Sequence, residues 1–216
     1  MNWKDILIIL VLVTVVGGLF VYEYWWGPKK ETKLLEELPK ITEKEIADWK
    51  IFQESGLYLR LPPDYSEKVF RKLEGEFELV ADYRNINEER ILLLYGTMGK
   101  EANEIAKNNW RNLAKKGESL RGKTRKEIVG GDLLLQSQLG GFPDNAEFVS
   151  AREIKKENCS TFSITFKTGE GKRQEELQIF PLYNQDYDWM ITFFYKEENE
   201  TKVSKIVQTI ECKPPQ

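Results

Sequence analysis

Histidine is absent from all 216 residues of the chain. Its absence excludes triads that use an imidazole base and removes the commonest side-chain ligand of transition metals. Cysteine is scarce as well, because Cys159 and Cys212 are the two present and they form no C-x-x-C motif. A site with four thiolates cannot be built from them within one chain. They are either two partly buried thiols or, in an oxidising compartment, a disulfide. We predict no metal and no cofactor.

A large excess of charge of one sign is also missing. Lys and Arg number 32 and Asp and Glu number 35, which gives a net charge of −3. This balance argues against a dedicated nucleic-acid binder. No internal repeat, phosphate-binding glycine motif or catalytic motif is visible. The sequence therefore favours a protein that is not an enzyme, although it does not exclude one.

One long uncharged run dominates the N-terminus. Residues 6–22 carry no charge, and Tyr24-Trp25-Trp26 follows closely. About 17 to 21 helical residues cross most of a hydrocarbon layer ~30 Å thick, and aromatic rings suit its boundary. A cleaved signal peptide is the alternative, but bulky side chains occupy the zone where small residues would be needed. We predict a short tail at 1–5 and a transmembrane anchor at 6–26.

The charges that flank the anchor bear on its orientation. Lys4 precedes the run, whereas Lys29, Lys30 and Lys33 follow it. This count favours a cytoplasmic C-terminal part. However, the N-terminal tail is only five residues long with a single Lys, so the count rests on few charges. Long C-terminal domains also translocate regardless of nearby charge. We expect a single-pass membrane protein with its C-terminal domain outside the cytoplasm.

Composition divides the rest of the chain. Residues 27–48 are dense in Lys and Glu and predict a polar stalk. Residues 49–213 carry the apolar periodicity of one globular domain, and 214–216 form a tail. Period-2 alternation or a continuous apolar run predicts strands. These cover Leu57–Leu61, Phe77–Arg84, Ile91–Tyr95, Thr161–Lys167, Glu175–Phe180 and Trp189–Tyr195. Short connections between them favour an antiparallel sheet.

Helical spacing of apolar residues appears in three places. It predicts a helix from Lys100 that ends at Gly117, a second over Val203–Ile210, and a short one after Pro63 with Val69, Phe70 and Leu73 inward. Between the glycine pairs at 130–131 and 140–141, Asp132–Leu139 is predicted as a strand. The fold class is therefore α+β, an antiparallel sheet packed with two or three amphipathic helices.

Both ends of the domain resemble the PsbP-like superfamily. At the start stand Trp49-Lys-Ile-Phe52, Gly56-Leu-Tyr-Leu-Arg-Leu61 and Pro62-Pro-Asp-Tyr65, and at the end stands Ile206-Val-Gln-Thr-Ile210. Leu61 replaces a usual aromatic, and Ile210 replaces a closing Phe. The resemblance implies an α/β/α sandwich and a binding or assembly role. It carries over no functional residue.

A basic cluster is the strongest candidate site. It comprises Arg111, Lys115, Lys116, Arg121, Lys123, Arg125 and Lys126. Such a cluster can bind an acidic protein, an envelope polymer or anionic lipid headgroups. The alternative is a solvated helix end. Nucleic acid is disfavoured, because no aromatic residues interleave with these charges.

Acidic residues supply two weaker candidates. Asp186 and Asp188 lie in an aromatic loop and could offer oxygen ligands to a cation, although the EF-hand spacing is missing. A pair of carboxylates could also meet in space and hydrolyse a glycoside. Our leading hypothesis is a membrane-anchored, non-enzymatic binding or assembly module, with a protein partner or an envelope polymer as its ligand. The alternative is a hydrolase of cell-envelope polymers that uses Asp and Glu.

Overall fold

The computed structural model describes residues 41–68, 72–74 and 77–214. The predicted N-terminal tail, the predicted anchor and most of the predicted stalk lie outside these ranges. Within them, no helix is long and apolar enough to cross a membrane. The end of the predicted stalk includes a 3-10 turn at Glu43–Ile46, and Ile46 is only 4% exposed. The packed part of the chain therefore begins before Trp49.

The described strands form two antiparallel sheets. The larger one contains β3 (Ser66–Lys68), β4 (Lys72–Glu74), β5 (Phe77–Arg84), β6 (Arg90–Thr97), β7 (Glu147–Lys155), β8 (Cys159–Gly169), β9 (Lys172–Pro181) and β10 (Tyr187–Lys196). Its order is β3-β5-β6-β10-β9-β8-β7, and β4 also pairs with β5. The smaller sheet has the order β1-β2-β11, formed by β1 (Lys50–Glu54), β2 (Leu57–Leu61) and β11 (Glu211–Cys212).

Helices cover both faces of the larger sheet. They are α1 (Lys100–Leu120), α2 (Arg125–Val129), α3 (Leu133–Gln138) and α4 (Glu200–Gln208). Alternate side chains of each strand enter different cores, because successive residues point to opposite faces. Trp189, Ile191 and Phe193 pack with the small sheet and α4, whereas Phe162 and Phe166 pack with α1 to α3. The predicted α+β class with an antiparallel sheet is confirmed.

The two ends of the domain meet in the smaller sheet. The backbone N–H of Arg60 donates to Oγ1 of Thr209 at 2.9 Å, and Leu57 pairs with Cys212. Cys159 and Cys212 form a disulfide with a Cα–Cα distance of 5.9 Å. Of the two states that the sequence left open for these cysteines, free thiols or a disulfide, the structure has the disulfide.

Several local predictions are wrong. The short helix expected after Pro63 is replaced by β3 and β4, and residues 69–71 lie outside the described ranges. The strand expected over Asp132–Leu139 is α3, because the flanking glycines end helices there rather than strands. Helix α1 continues past Gly117 to Leu120. Strands β1 and β7 were not predicted, since neither shows clean alternation.

Candidate binding cleft

Helix α1 lies against the sheet near its β7 edge. Ala106, Trp110 and Leu113 face inward and are at most 9% exposed. Gly117 allows this close approach, since a Cβ there would lie 3.2 Å from the carbonyl oxygen of Ala151. The glycine predicted as a helix stop therefore serves helix–sheet packing. One flank of α1 is left facing α2 and α3.

Local hydrogen bonds set where α2 and α3 begin and end. Thr124 and Glu127 form a capping box, in which the Glu127 carboxylate accepts from the Thr124 backbone N–H at 2.7 Å. Gly130 ends α2 in the left-handed region, at φ 51°. The Asp132 carboxylate then accepts the backbone N–H of Leu135 at 3.2 Å, in the first turn of α3. The two short helices thus fold back beside α1.

A cleft of about 170 Å3 lies between α1 and these two helices. Its apolar wall consists of Leu113, Leu120, Ile128 and Leu135. Its polar wall consists of Asn109, Asn112, Lys116 and Asp132. Leu113 is buried, whereas the other three apolar side chains are half-buried. Small-molecule sites commonly occupy ~300–1,000 Å3, so this cleft has room for about one anchoring side chain.

The structure divides the predicted basic cluster. Its exposed members are Lys115, Lys116, Arg121, Lys123 and Lys126. Of these, Lys116 lines the cleft. The guanidinium of Arg111 is half-buried and lies 5.9 Å from the centroid of the Phe162 ring. The other four exposed cations lie on α1, on α2 or in their connection and do not line the cleft, and together with Lys116 they are called the basic rim.

Arg125 belongs to the interior rather than to the basic rim. It is 9% exposed, and its Nε donates to the carbonyl oxygen of Leu139 at 2.5 Å. It also pairs with Asp144 and donates to the Gln136 carbonyl at 3.4 Å. These bonds join α2 to the segment that follows α3. Arg125 therefore holds the wall of the cleft in place and is not available to a ligand.

Glu176 is a buried acid that the sequence did not single out. It lies on β9, is 2% exposed, and packs under Gly141. Gln174 links the two, donating to the Gly141 carbonyl at 2.9 Å and to Glu176 Oε1 at 3.1 Å. Burial raises the pKa of Glu176 from 4.5 to about 8, although the bond from Gln174 and the charge of Arg125 oppose this shift. The side chain is therefore protonated at neutral pH.

Other buried carboxylates are held by polar partners. Glu89 accepts hydrogen bonds from Tyr65, Asn85 and Asn199 at 3.0, 2.5 and 2.6 Å. Glu175 accepts from Ser163 at 2.5 Å and from Tyr195 at 3.2 Å. Neither Glu89 nor Glu175 lines the cleft, so both fit a structural role.

The aromatic loop does not assemble a cation site. Asp186 is exposed in the turn before β10, whereas Asp188 is fully buried inside that strand and accepts a hydrogen bond from Gln178. Among the described residues, no group of three or more Asp, Glu or Cys side chains could hold a metal ion. The two aspartates therefore face different environments.

Sequence reasoning missed the cleft for a definable reason. Two of its apolar lining residues, Ile128 and Leu135, lie on different short helices that are separated by Gly130 and Gly131. Each helix is too short to show a helical period, so the segment looked like a strand between turns. The Thr124–Glu127 capping box was the signal that could have located α2.

Comparison with known proteins adds little. No family model and no curated protein matches the sequence. The fold is similar to the solution structure of cyanobacterial PsbP (CyanoP) from Synechocystis sp. PCC 6803, with a TM-score of 0.49 and 10% identity, over 81% of this chain and 98% of that one. Similarity at this level assigns neither a family nor an activity.

Proposed function

We propose that this chain is a single-pass, membrane-anchored and non-enzymatic binding or assembly module, displayed outside the cytoplasm. In this proposal, the cleft between α1, α2 and α3 captures a protein partner. The observation that carries the proposal is an apolar wall open to solvent beside a basic rim. A PsbP-like identity belongs to the same proposal and rests on the motifs at the two ends of the domain.

The chemistry of the cleft defines the partner. Half-buried Leu120, Ile128 and Leu135 offer contact to one apolar side chain, the kind of anchor that dominates protein interfaces. Lys116 and the other cations of the basic rim favour acidic residues close to that anchor. A protein segment with an apolar anchor and acidic flanks fits better than an envelope polymer, which would lack the anchor.

Two features support display outside the cytoplasm. The first is the predicted anchor with its short N-terminal tail. The second is the Cys159–Cys212 disulfide, because disulfides persist in oxidising compartments and are rare in the cytosol. Both are consistent with a domain that crosses the membrane and is tethered on its outer side.

Site-specific photo-crosslinking in intact membranes tests the cleft. A photo-reactive residue at Asn112, which lines the cleft, should capture a discrete protein partner. Leu120→Glu or Lys116→Glu should abolish that product, whereas Lys100→Glu, at the exposed start of the same helix and outside the cleft, should retain it. Equal capture by all four proteins would refute binding at this cleft.

Protease added to intact cells or protoplasts tests the topology. The domain should be digested from outside, and replacing Lys29, Lys30 and Lys33 by Gln should keep or strengthen that orientation. Full protection until lysis would place the domain in the cytoplasm and overturn this part of the proposal.

A hydrolase remains the second candidate because Glu176 has the raised pKa of a general acid. However, Glu176 is covered by Gly141 and is not among the residues that line the cleft. If the hydrolase reading holds, purified protein should cleave an envelope polymer and Glu176→Gln should remove that activity. Equal turnover by both proteins would eliminate Glu176 as the acid.

A further inference from the structure

A polar cluster lies on the same face of the larger sheet as α1, at the end formed by β5 and β6. Asp82 on β5 is 2% exposed and binds two arginines. Nε of Arg90 lies 2.9 Å from Oδ1 of Asp82, and Nη2 of Arg84 lies 2.8 Å from Oδ2. Burial opposes ionisation of Asp82, but the bonds from Arg84 and Arg90 outweigh it and lower its pKa. One buried carboxylate thus fixes the positions of two guanidinium groups.

Both arginines are partly exposed and keep a donor group that Asp82 does not use. Each uses its Nε and Nη2 edge on Asp82, and neither Nη1 donates to any residue in the described ranges. The side chains of Arg84 and Arg90 are 44% and 36% exposed. A guanidinium fixed in this way loses little rotamer freedom when it binds an anion.

Two lysines extend the positive charge. Lys172 and Lys196 lie directly opposite each other on β9 and β10. Arg90 on β6 lies opposite Phe194 on β10, and Phe194 precedes Lys196 by two residues, so Arg90 and Lys196 share a face. Such diagonal neighbours have Cα atoms roughly 7–8 Å apart. Both lysines are exposed, and neither forms an ion pair within the described part of the chain.

This arrangement brings several positive charges together on one face of the sheet. Arg84 lies opposite Arg90 in the β5–β6 register, just as Lys172 lies opposite Lys196. Like charges directly opposite on neighbouring strands destabilise a sheet. Asp82 offsets one of the four positive charges, which leaves three on this surface. Half-buried Phe194 lies among them, so part of the floor is apolar.

We propose that Arg84, Arg90, Lys172 and Lys196 form a binding site for the phosphate group of a ligand. Arginine forks bind phosphate oxygens bidentately, and lysines add point charges beside them. A phosphate monoester carries a charge of about −1.5 to −2 at neutral pH, which matches three excess positive charges better than one carboxylate does. The phosphate can come from a soluble molecule or from a lipid headgroup. The site is separate from the α1–α2–α3 cleft.

Titration of the full chain in non-ionic detergent tests this site. Inorganic phosphate and glycerol 3-phosphate serve as soluble probes, and micelles doped with phosphatidylglycerol serve as the lipid probe. The readout is the 15N NMR signals of the Arg84 and Arg90 Nε–H groups, at constant ionic strength set by sodium chloride. We expect saturable shifts of both signals with at least one probe.

The variants make the test specific. Lys172→Gln with Lys196→Gln leaves the Asp82 ion pairs intact and should weaken binding on the order of tenfold, because two exposed ion pairs with the phosphate are lost. Lys115→Gln with Arg121→Gln removes two exposed cations elsewhere and should leave affinity unchanged. Shifts with the soluble probes support a soluble ligand, and shifts with doped micelles alone support a headgroup. The proposal would be overturned if none of the probes gave a saturable shift, or if both double variants weakened binding equally.

Discussion

Replacing Glu176 by Gln should remove a loss of stability that the wild-type protein suffers as the pH rises. The Glu176 pKa rises from 4.5 to about 8 on folding because the carboxyl group is buried under Gly141. A group whose pKa is raised in the folded state stabilises that state fully below its unfolded pKa. The contribution is lost as the pH rises through about 8. Glutamine has nearly the same shape but does not ionise, so its contribution should stay constant.

The magnitude follows from the two pKa values. Each pKa unit corresponds to about 1.36 kcal/mol, so the shift from 4.5 to about 8 amounts to ~5 kcal/mol. This is a large share of the ~5–15 kcal/mol by which domains are stable. The free energy of unfolding of the wild-type protein should therefore fall relative to that of Glu176→Gln by up to ~5 kcal/mol between pH 4 and pH 9.

Urea unfolding of both proteins across that pH range measures this difference. Glu170→Gln, an exposed glutamate in the β8–β9 turn, serves as the matched control and should run parallel to the wild type. Parallel curves for the wild type and Glu176→Gln would refute the reasoning, because they would show that Glu176 ionises equally easily in the folded and unfolded states.

Two further predictions concern stability. Cys159→Ala with Cys212→Ala should lower the free energy of unfolding by about 4 kcal/mol, since the bond closes a loop with a sequence separation of 53 residues. Denaturation of the oxidised protein and the double variant measures the loss, and free thiols detected in the protein isolated from membranes would contradict the disulfide. Gly117→Val should cost about 1–3 kcal/mol, because its side chain would meet the Ala151 carbonyl. Gly169→Ala, where nothing lies within 4 Å, is the control, and an equal Tm for both variants would argue against close packing of α1.

The strands show how far local pattern reaches. Phe162, Ile164 and Phe166 alternate with polar residues, and all three lie on the face that packs against α1, α2 and α3, as that alternation predicts. The apolar run Ile91–Tyr95 is an interior strand, with β5 and β10 on either side. Both are local consequences of the two-residue period of a strand, so no knowledge of distant residues was needed.

Where the local sequence pattern predicted the wrong secondary structure, contacts with residues distant in sequence determined it. Glycine often ends a helix, yet α1 continues through Gly117. The backbone of β7 approaches closely at that position, and a glycine leaves room for it. Asp132–Leu139 became helical because α2 and α3 together cover α1 and the sheet, which neither could do alone. Propensity over six residues is weak compared with burial against a neighbouring element.

By itself, the sequence determined the α+β class, the main strands of the larger sheet and the absence of imidazole chemistry. These depend on composition and on periods that span a few residues. The pairing of Cys159 with Cys212, the burial of Glu176 and the sharing of Asp82 by two arginines were decided only by the tertiary structure. Each of these depends on which residues meet across strands or loops far apart in the chain. A pKa, a disulfide or a binding site depends on such neighbours, because desolvation and Coulomb interactions act through space and not along the sequence.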